Sequence, residues 1–300
     1  MKEILYQFHQ VILYGPPGTG KTRKAKRTAL AILNGKEPAE SATTAEIDKQ
    51  LERFRKDSRF ELVVFHPAYE YEQFVGGIEP TVSEGVLAFQ VKAGIFLQLC
   101  RRAEQCPKES QERPVVLVID EINRGNLPKL LGELVYALEY RDQAVTLPFV
   151  YKGQADLIVP GNLYILATMN SSDRSIGHID VAIRRRFALC HVAPDSEVIR
   201  KVWRDAEDDG YGEQLVRLME ELNAMLNTGN DANAGAELGI GHSYFIPDPS
   251  ASGEAARQQV HMKWEYQVQP LLREYAQLLN LGADSLGKWF CPLDEVLSKS

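Results

Sequence analysis

Cysteine is scarce in this sequence, and its placement excludes several chemistries. The four residues Cys100, Cys106, Cys190 and Cys291 form no CxxC pair and lack the density of a disulfide-stapled scaffold, so reduced, mostly buried thiols are expected. Long hydrophobic runs are missing too: no stretch approaches the roughly 20 apolar residues that cross a bilayer. At the N-terminus, Glu3, Gln7, His9 and Gln10 interrupt what would be the apolar core of a signal peptide. A cytoplasmic location without membrane contact is expected. Positive charge is not in excess. The net charge of -7 argues against nucleic-acid binding over the whole surface and leaves DNA contact to a local patch or another chain.

What remains is a chain of 300 residues, 44% hydrophobic and 25% charged, with enough apolar content to bury a substantial core. That length suits a nucleotide-binding domain and a smaller partner domain. Val11–Tyr14 reads as a short strand, Arg23–Leu33 as a helix stopped by Asn34-Gly35, and Thr43-x-x-Glu46 as a capping box opening another helix. Glu61–Phe65 follows as a strand. The aromatics Tyr69, Tyr71 and Phe74 fit neither a helical nor a strand period, and His66–Thr81 is expected to be a structured loop. Val86–Val91, Val115–Ile119 and Leu163–Thr168 read as strands, Gly94–Cys106, Leu127–Glu139 and Asp180–Arg186 as helices, and Val145–Pro160 as a hairpin turning near Lys152-Gly153. After Pro194 the composition shifts to charged helical segments. The expectation is an α/β domain over 1–193, a three-layer sandwich around a parallel sheet, with a smaller α-helical domain over 194–300.

Between the first strand and helix stands Gly15-Pro16-Pro17-Gly18-Thr19-Gly20-Lys21-Thr22, which fits GxxxxGK[ST]. Glycines let the backbone wrap close enough for amide N–H groups and the helix N-terminus to face phosphates. Lys21 is suited to neutralising the β and γ phosphates, and the Thr22 hydroxyl to ligating magnesium. The apolar strand ending in Asp120-Glu121 delivers two acids where ligands sit in open parallel sheets. Asp120 is suited to holding the magnesium through water and Glu121 to acting as general base. At the end of a third strand, Asn170 either orients water against a γ-phosphate or caps a turn; Asp173 and Arg174 stand close by. Arg184-Arg185-Arg186 is either a solvated basic helix end or, in a ring, the source of an arginine finger from Arg185 or Arg186. Arg124 is a further candidate for contact across a subunit boundary.

In this order the motifs resemble the AAA+ class, and their wording resembles the McrB family. The stretches are Phe65-His66-Pro67-Ala68-Tyr69-Glu70-Tyr71-Glu72-Gln73-Phe74, Asp120-Glu121-Ile122-Asn123-Arg124-Gly125-Asn126, Met169-Asn170-Ser171-Ser172-Asp173-Arg174-Ser175, Arg184-Arg185-Arg186-Phe187, Gly241-His242-Ser243-Tyr244-Phe245 and Gln269-Pro270-Leu271-Leu272-Arg273-Glu274-Tyr275. Ser171-Ser172 stands where the family usually has Thr-Ala. The resemblance implies an AAA+ P-loop fold with a helical lid and a hexameric GTP-driven motor of a modification-dependent restriction system. It also implies stimulation by an McrC-like nuclease subunit, with Asn170 and Asp173 on the face where that partner organises the attacking water. Thr19 is common in ATP-using relatives, so GTP follows from resemblance alone and ATP stays open. The P-loop begins at Gly15, so this chain is not expected to choose a DNA site by itself. No obvious sensor-2 arginine stands in the C-terminal helices. An ATP-driven remodeller and a slowly hydrolysing, nucleotide-gated assembly module are the competing readings.

Overall fold

The structure is a computed structural model, described here for residues 1–83, 86–106, 113–172, 179–228, 238–279 and 289–299. It forms two compact units. The first comprises Met1–Tyr14, Lys21–Met169 and Ser175–Cys190, and the second Gly15–Gly20, Asn170–Arg174 and His191–Ser300.

In chain order the α/β part runs α1 Lys2–Phe8, β1 Gln10–Gly15, α2 Lys21–Asn34, α3 Thr44–Lys56, β2 Phe60–Val64, α4 Tyr71–Phe74, β3 Gly76–Ser83, β4 Val86–Ala93 and α5 Ile95–Glu104. It continues with β5 Val115–Asp120, α6 Leu127–Leu131, α7 Leu134–Glu139, β6 Ala144–Tyr151, β7 Gln154–Ile158, β8 Leu163–Asn170, α8 Val181–Arg184 and β9 Ala188–His191. Five strands form one sheet in the order β2-β5-β8-β1-β9. β5 runs parallel to both β2 and β8, with Leu62 opposite Val118 and Leu117 opposite Ile165. Such strands are covered on both faces, which is why Val115–Ile119 reads as an unbroken apolar run and every one of its side chains is buried. At the base of the sheet the Arg141 guanidinium is buried and satisfied, donating to Pro160 O (2.9 Å), Leu163 O (2.8 Å) and Gln10 Oε1.

The Thr43 capping box forms: Glu46 N donates to Thr43 Oγ1 (3.2 Å) and Thr43 N to the Glu46 carboxylate (2.8 Å). Elsewhere the pattern misleads. The helix expected over Leu127–Glu139 is two short ones, because Gly132 turns to φ 44°, ψ -122° between α6 and α7. The loop expected over His66–Thr81 holds α4 and then β3, which pairs antiparallel with β4 as one hairpin. Its aromatics follow no period because they pack on one another: Phe65 stacks on Tyr69 at 5.2 Å and meets Phe74 edge-on at 5.3 Å. The hairpin enters and leaves at one point, where Gly94 N donates to Val75 O (2.9 Å). A second hairpin, β6–β7, turns at Lys152-Gly153, both with positive φ.

The helices after His191 are α9 Ser196–Asp205, α10 Asp209–Thr228, α11 Gly253–Lys263 and α12 Gln269–Leu278, with a π turn at Trp264–Val268 and a last helix at Leu293–Lys299. Their core holds Trp203, Trp264, Trp289, Phe245 and Tyr275, and the indole N–H groups of Trp203 and Trp264 donate to Phe245 O and Cys291 O (3.0 Å each). Among the described residues no helix is long and apolar enough to cross a membrane.

Candidate nucleotide site

The loop between β1 and α2 takes φ 151° at Gly15, 78° at Gly18 and 74° at Gly20, values that strain any L side chain. Room is equally short. Within the second unit, a β-carbon on Gly15 would lie 2.4 Å from Val192 O, and one on Gly18 2.7 Å from the Ser243 hydroxyl and the Tyr244 ring. Thr19 folds back to donate to Pro16 O (3.0 Å). Pro17 O and Gly18 O accept from Gly241 N and Ser243 N, at 3.0 Å each, so the segment around Gly241 is laced to the loop through backbone atoms.

Lys21 opens α2 and is only 7% exposed. Burial draws its pKa down to about 8, against the pull of the neighbouring Glu121 and Asp120 carboxylates. The Thr22 hydroxyl donates to Asp120 Oδ1 at 2.8 Å. Thr168, from the neighbouring strand, donates its hydroxyl to the same oxygen and accepts from Glu121 N (3.1 Å). One hydroxyl thus fixes both acids. Glu121 itself sits in the left-handed region, φ 56°, ψ 48°, a conformation that costs an L-residue roughly 1–2 kcal/mol. Its carboxylate lies 3.6 Å from Arg124 Nε. Between them in sequence, Asn123 is buried and its Oδ1 has no hydrogen-bond partner among the described residues.

These residues fit a magnesium–nucleotide ligand. Thr22 Oγ1 and Asp120 Oδ1 face each other as an all-oxygen pair, which suits a hard divalent ion. Among the described residues no group of three or more His, Cys, Asp or Glu forms a cage, so such an ion relies on phosphate oxygens and water for its other ligands. A buried lysine and a glycine loop with exposed-amide geometry suit the phosphates themselves.

Asn170 ends β8, and the next residue, Ser171, donates its N–H to Gly15 O (3.1 Å), which ties that strand end to the loop within the second unit. Asp173 and Arg174 lie outside the described residues. The consecutive arginines differ sharply. Arg185 is 63% exposed and 3.6 Å from Glu139, whereas Arg186 is 9% exposed, paired closely with Glu139 and donating to Ala182 O. Two contributors escape a reading of motifs: Thr168, a hydroxyl closing an apolar run, and the segment Gly239–Ser243, whose contact with the loop is visible only in three dimensions.

Comparison with known proteins agrees with this geometry. Residues 10–187 match the family model described as "AAA domain (dynein-related subfamily)", and residues 214–277 match "McrB, alpha-helical lid domain". The "Type IV methyl-directed restriction enzyme EcoKMcrB subunit" of Escherichia coli (strain K12) is 33% identical over 272 residues, covering 88% of this chain and 53% of the relative. The "Type II restriction enzyme BsuMI component YdiS" of Bacillus subtilis (strain 168) is 25% identical over 213 residues, covering 59% of this chain and 55% of the relative. The chain therefore spans about half the length of these curated relatives. With its sheet order, its phosphate loop and its lid each accounted for, the chain belongs to the AAA+ class, in the dynein-related subfamily, as a member of the McrB family.

Proposed function

We propose that this chain is the nucleoside-triphosphatase motor of a restriction system, hydrolysing GTP, with ATP as the alternative substrate, at the interfaces of a homo-hexameric ring. An McrC-like nuclease subunit is its activating partner, and DNA is engaged through that partner or a separate domain. The observation that carries the reading is the meeting of Thr22, Asp120 and buried Lys21 at the start of α2. We assign residues 1–193 to the motor domain and 194–300 to its lid.

In this reading Gly15, Pro16, Pro17, Gly18, Thr19 and Gly20 shape the backbone cradle, and Lys21 neutralises the terminal phosphates. Magnesium, held by Thr22 and, through water, by Asp120, supplies charge neutralisation at the phosphates. Glu121 takes the proton of the attacking water, and Asn170 with Asp173 orients that water. Arg185 serves as the finger toward a neighbouring subunit, Arg186 braces it through their shared partner Glu139, and Arg124 is the second cation at the boundary. The need for companion subunits finds support in the β3–β4 hairpin, where Ile78, Val82, Val86, Leu87 and Phe89 are all exposed.

The test is steady-state phosphate release from GTP and from ATP, with and without a candidate nuclease subunit encoded nearby, combined with light scattering of the nucleotide-bound protein. Nucleotide-dependent assembly with partner-stimulated GTP turnover is expected. Turnover of ATP alone favours a remodelling ATPase, and negligible turnover with nucleotide-dependent assembly favours a switch; either result overturns the GTPase assignment.

A further inference from the structure

The segment Gly239–Ile246 is held by lid side chains along its whole length. Asn223 clamps Ile240 from both sides, its amide N–H donating to Ile240 O (3.0 Å) and its carbonyl accepting from Ile240 N (2.7 Å). Lys263 Nζ donates to Ile246 O (2.7 Å) and Ser243 O (3.3 Å), and the Trp203 indole donates to Phe245 O (3.0 Å). A segment so fixed acts as a rigid backing. What it backs is the phosphate loop, through Gly241 N to Pro17 O and Ser243 N to Gly18 O (3.0 Å each). The approach leaves no slack, since a β-carbon on Gly241 would fall 2.1 Å from Gly18 C and one on Gly239 2.8 Å from Pro16 Cγ.

One side chain joins this backing to the other edge of the site. Tyr275, on α12, is 2% exposed; its hydroxyl donates to Gly239 O (3.2 Å) and is hydrogen-bonded with Ser172. Ser172 follows Asn170 and Ser171, and Ser171 N donates to Gly15 O. The hydroxyl therefore closes a ring of contacts: loop, end of β8, lid helix, backing segment and loop again, all within the second unit. A buried hydroxyl with both donor and acceptor used fixes its neighbours' relative positions, since losing either contact strands a polar group away from water.

We propose that Tyr275 is a positioning residue for hydrolysis, coupling the strand end that carries Asn170 to the lid segment that holds the phosphate loop. The C-terminal helices show no obvious sensor-2 arginine, and this relay gives the lid a hold on the site through backbone atoms instead. Ser172, where the resemblance leads one to expect alanine, makes the coupling a feature of this chain. The inference rests on the hydrolytic reading given above.

The experiment compares native protein, Tyr275→Phe, Ser172→Ala and Ser172→Thr for kcat, KM and the Kd of a fluorescent nucleotide analogue. Tyr275→Phe and Ser172→Ala are expected to lower kcat about tenfold to a hundredfold, the scale of a slight misplacement, with Kd within twofold. The double variant should lose little more than either single one, and Ser172→Thr, which keeps the hydroxyl, should restore kcat. Unchanged kcat in Tyr275→Phe overturns the proposal, and if that variant does not fold, unchanged kcat in Ser172→Ala does so. A native protein that turns over no nucleotide under any condition overturns the hydrolytic reading and this inference together, whereas an active native protein matched by its variants overturns this inference alone.

Discussion

The Thr22 hydroxyl reaches Asp120 Oδ1 across 2.8 Å, bringing the first turn of α2 against the end of β5. Two oxygens at that spacing exchange a proton bond for a shared cation when magnesium and nucleotide arrive. Thr22→Val, which keeps the volume and removes the hydroxyl, should raise the magnesium concentration for half-maximal turnover on the order of tenfold or more. A magnesium titration of phosphate release checks this, and an unchanged midpoint removes Thr22 from the metal.

Lys21 sets a pH dependence. Its folded, ligand-free pKa lies near 8, below the ordinary 10.5, so burial penalises the charged form. The contribution of this residue to folding stability therefore rises as pH climbs from about 8 toward 10.5. Phosphate binding requires the charged form, so affinity runs the other way: level below pH 8 and falling by up to about tenfold per unit above it. Calorimetry at pH 9 in buffers of different ionisation enthalpy should show proton uptake on nucleotide binding.

Glu121→Gln keeps the left-handed backbone and the N–H bond to Thr168 but removes the base. Turnover should fall on the order of 10²- to 10⁴-fold with nucleotide affinity retained. Single-turnover phosphate release measures it, and native turnover in this variant removes Glu121 from the chemistry.

The contrast between Arg185 and Arg186 separates function from support. Arg185→Ala should leave Tm unchanged and lower turnover by about 10³-fold or more, with recovery on mixing with Glu121→Gln protein, since fingers act in trans. Arg186→Ala removes a mostly buried cation from Glu139, so it should lower stability by roughly 1–3 kcal/mol as well. Equal thermal behaviour of the two variants counts against this division.

Gly241→Ala should abolish nucleotide binding without unfolding either unit's core, because the added carbon falls 2.1 Å from the backbone of Gly18. Gly210→Ala is the control, with nothing within 4 Å of its β-carbon. Equilibrium nucleotide binding by both variants decides the matter.

Much of this was legible in the sequence where local physics dictates residue type. The phosphate loop needs glycines at fixed offsets, a doubly covered strand needs the run Val115–Ile119, and an N-cap needs Thr43 with Glu46. Legibility failed where distant segments decide. Nothing local marks Gly132 as a break rather than a tolerated helical glycine, and the aromatics from Tyr69 to Phe74 obey a three-dimensional cluster instead of a period. The backing of the loop by Gly241 and Ser243 and the distinct surroundings of Arg185 and Arg186 likewise arise from chain far away.

The pinch at Val75 and Gly94 has a consequence for how this chain can vary. A β-carbon on Gly94 would lie 2.4 Å from the Phe74 carbonyl, so the two ends of the β3–β4 ribbon are stitched together at the core, and what projects beyond the stitch answers to neither the sheet nor the catalytic acids. Mutation can lengthen, shorten or re-dress that ribbon while the engine beneath keeps its timing, which makes it the place where a motor of this design acquires new cargo.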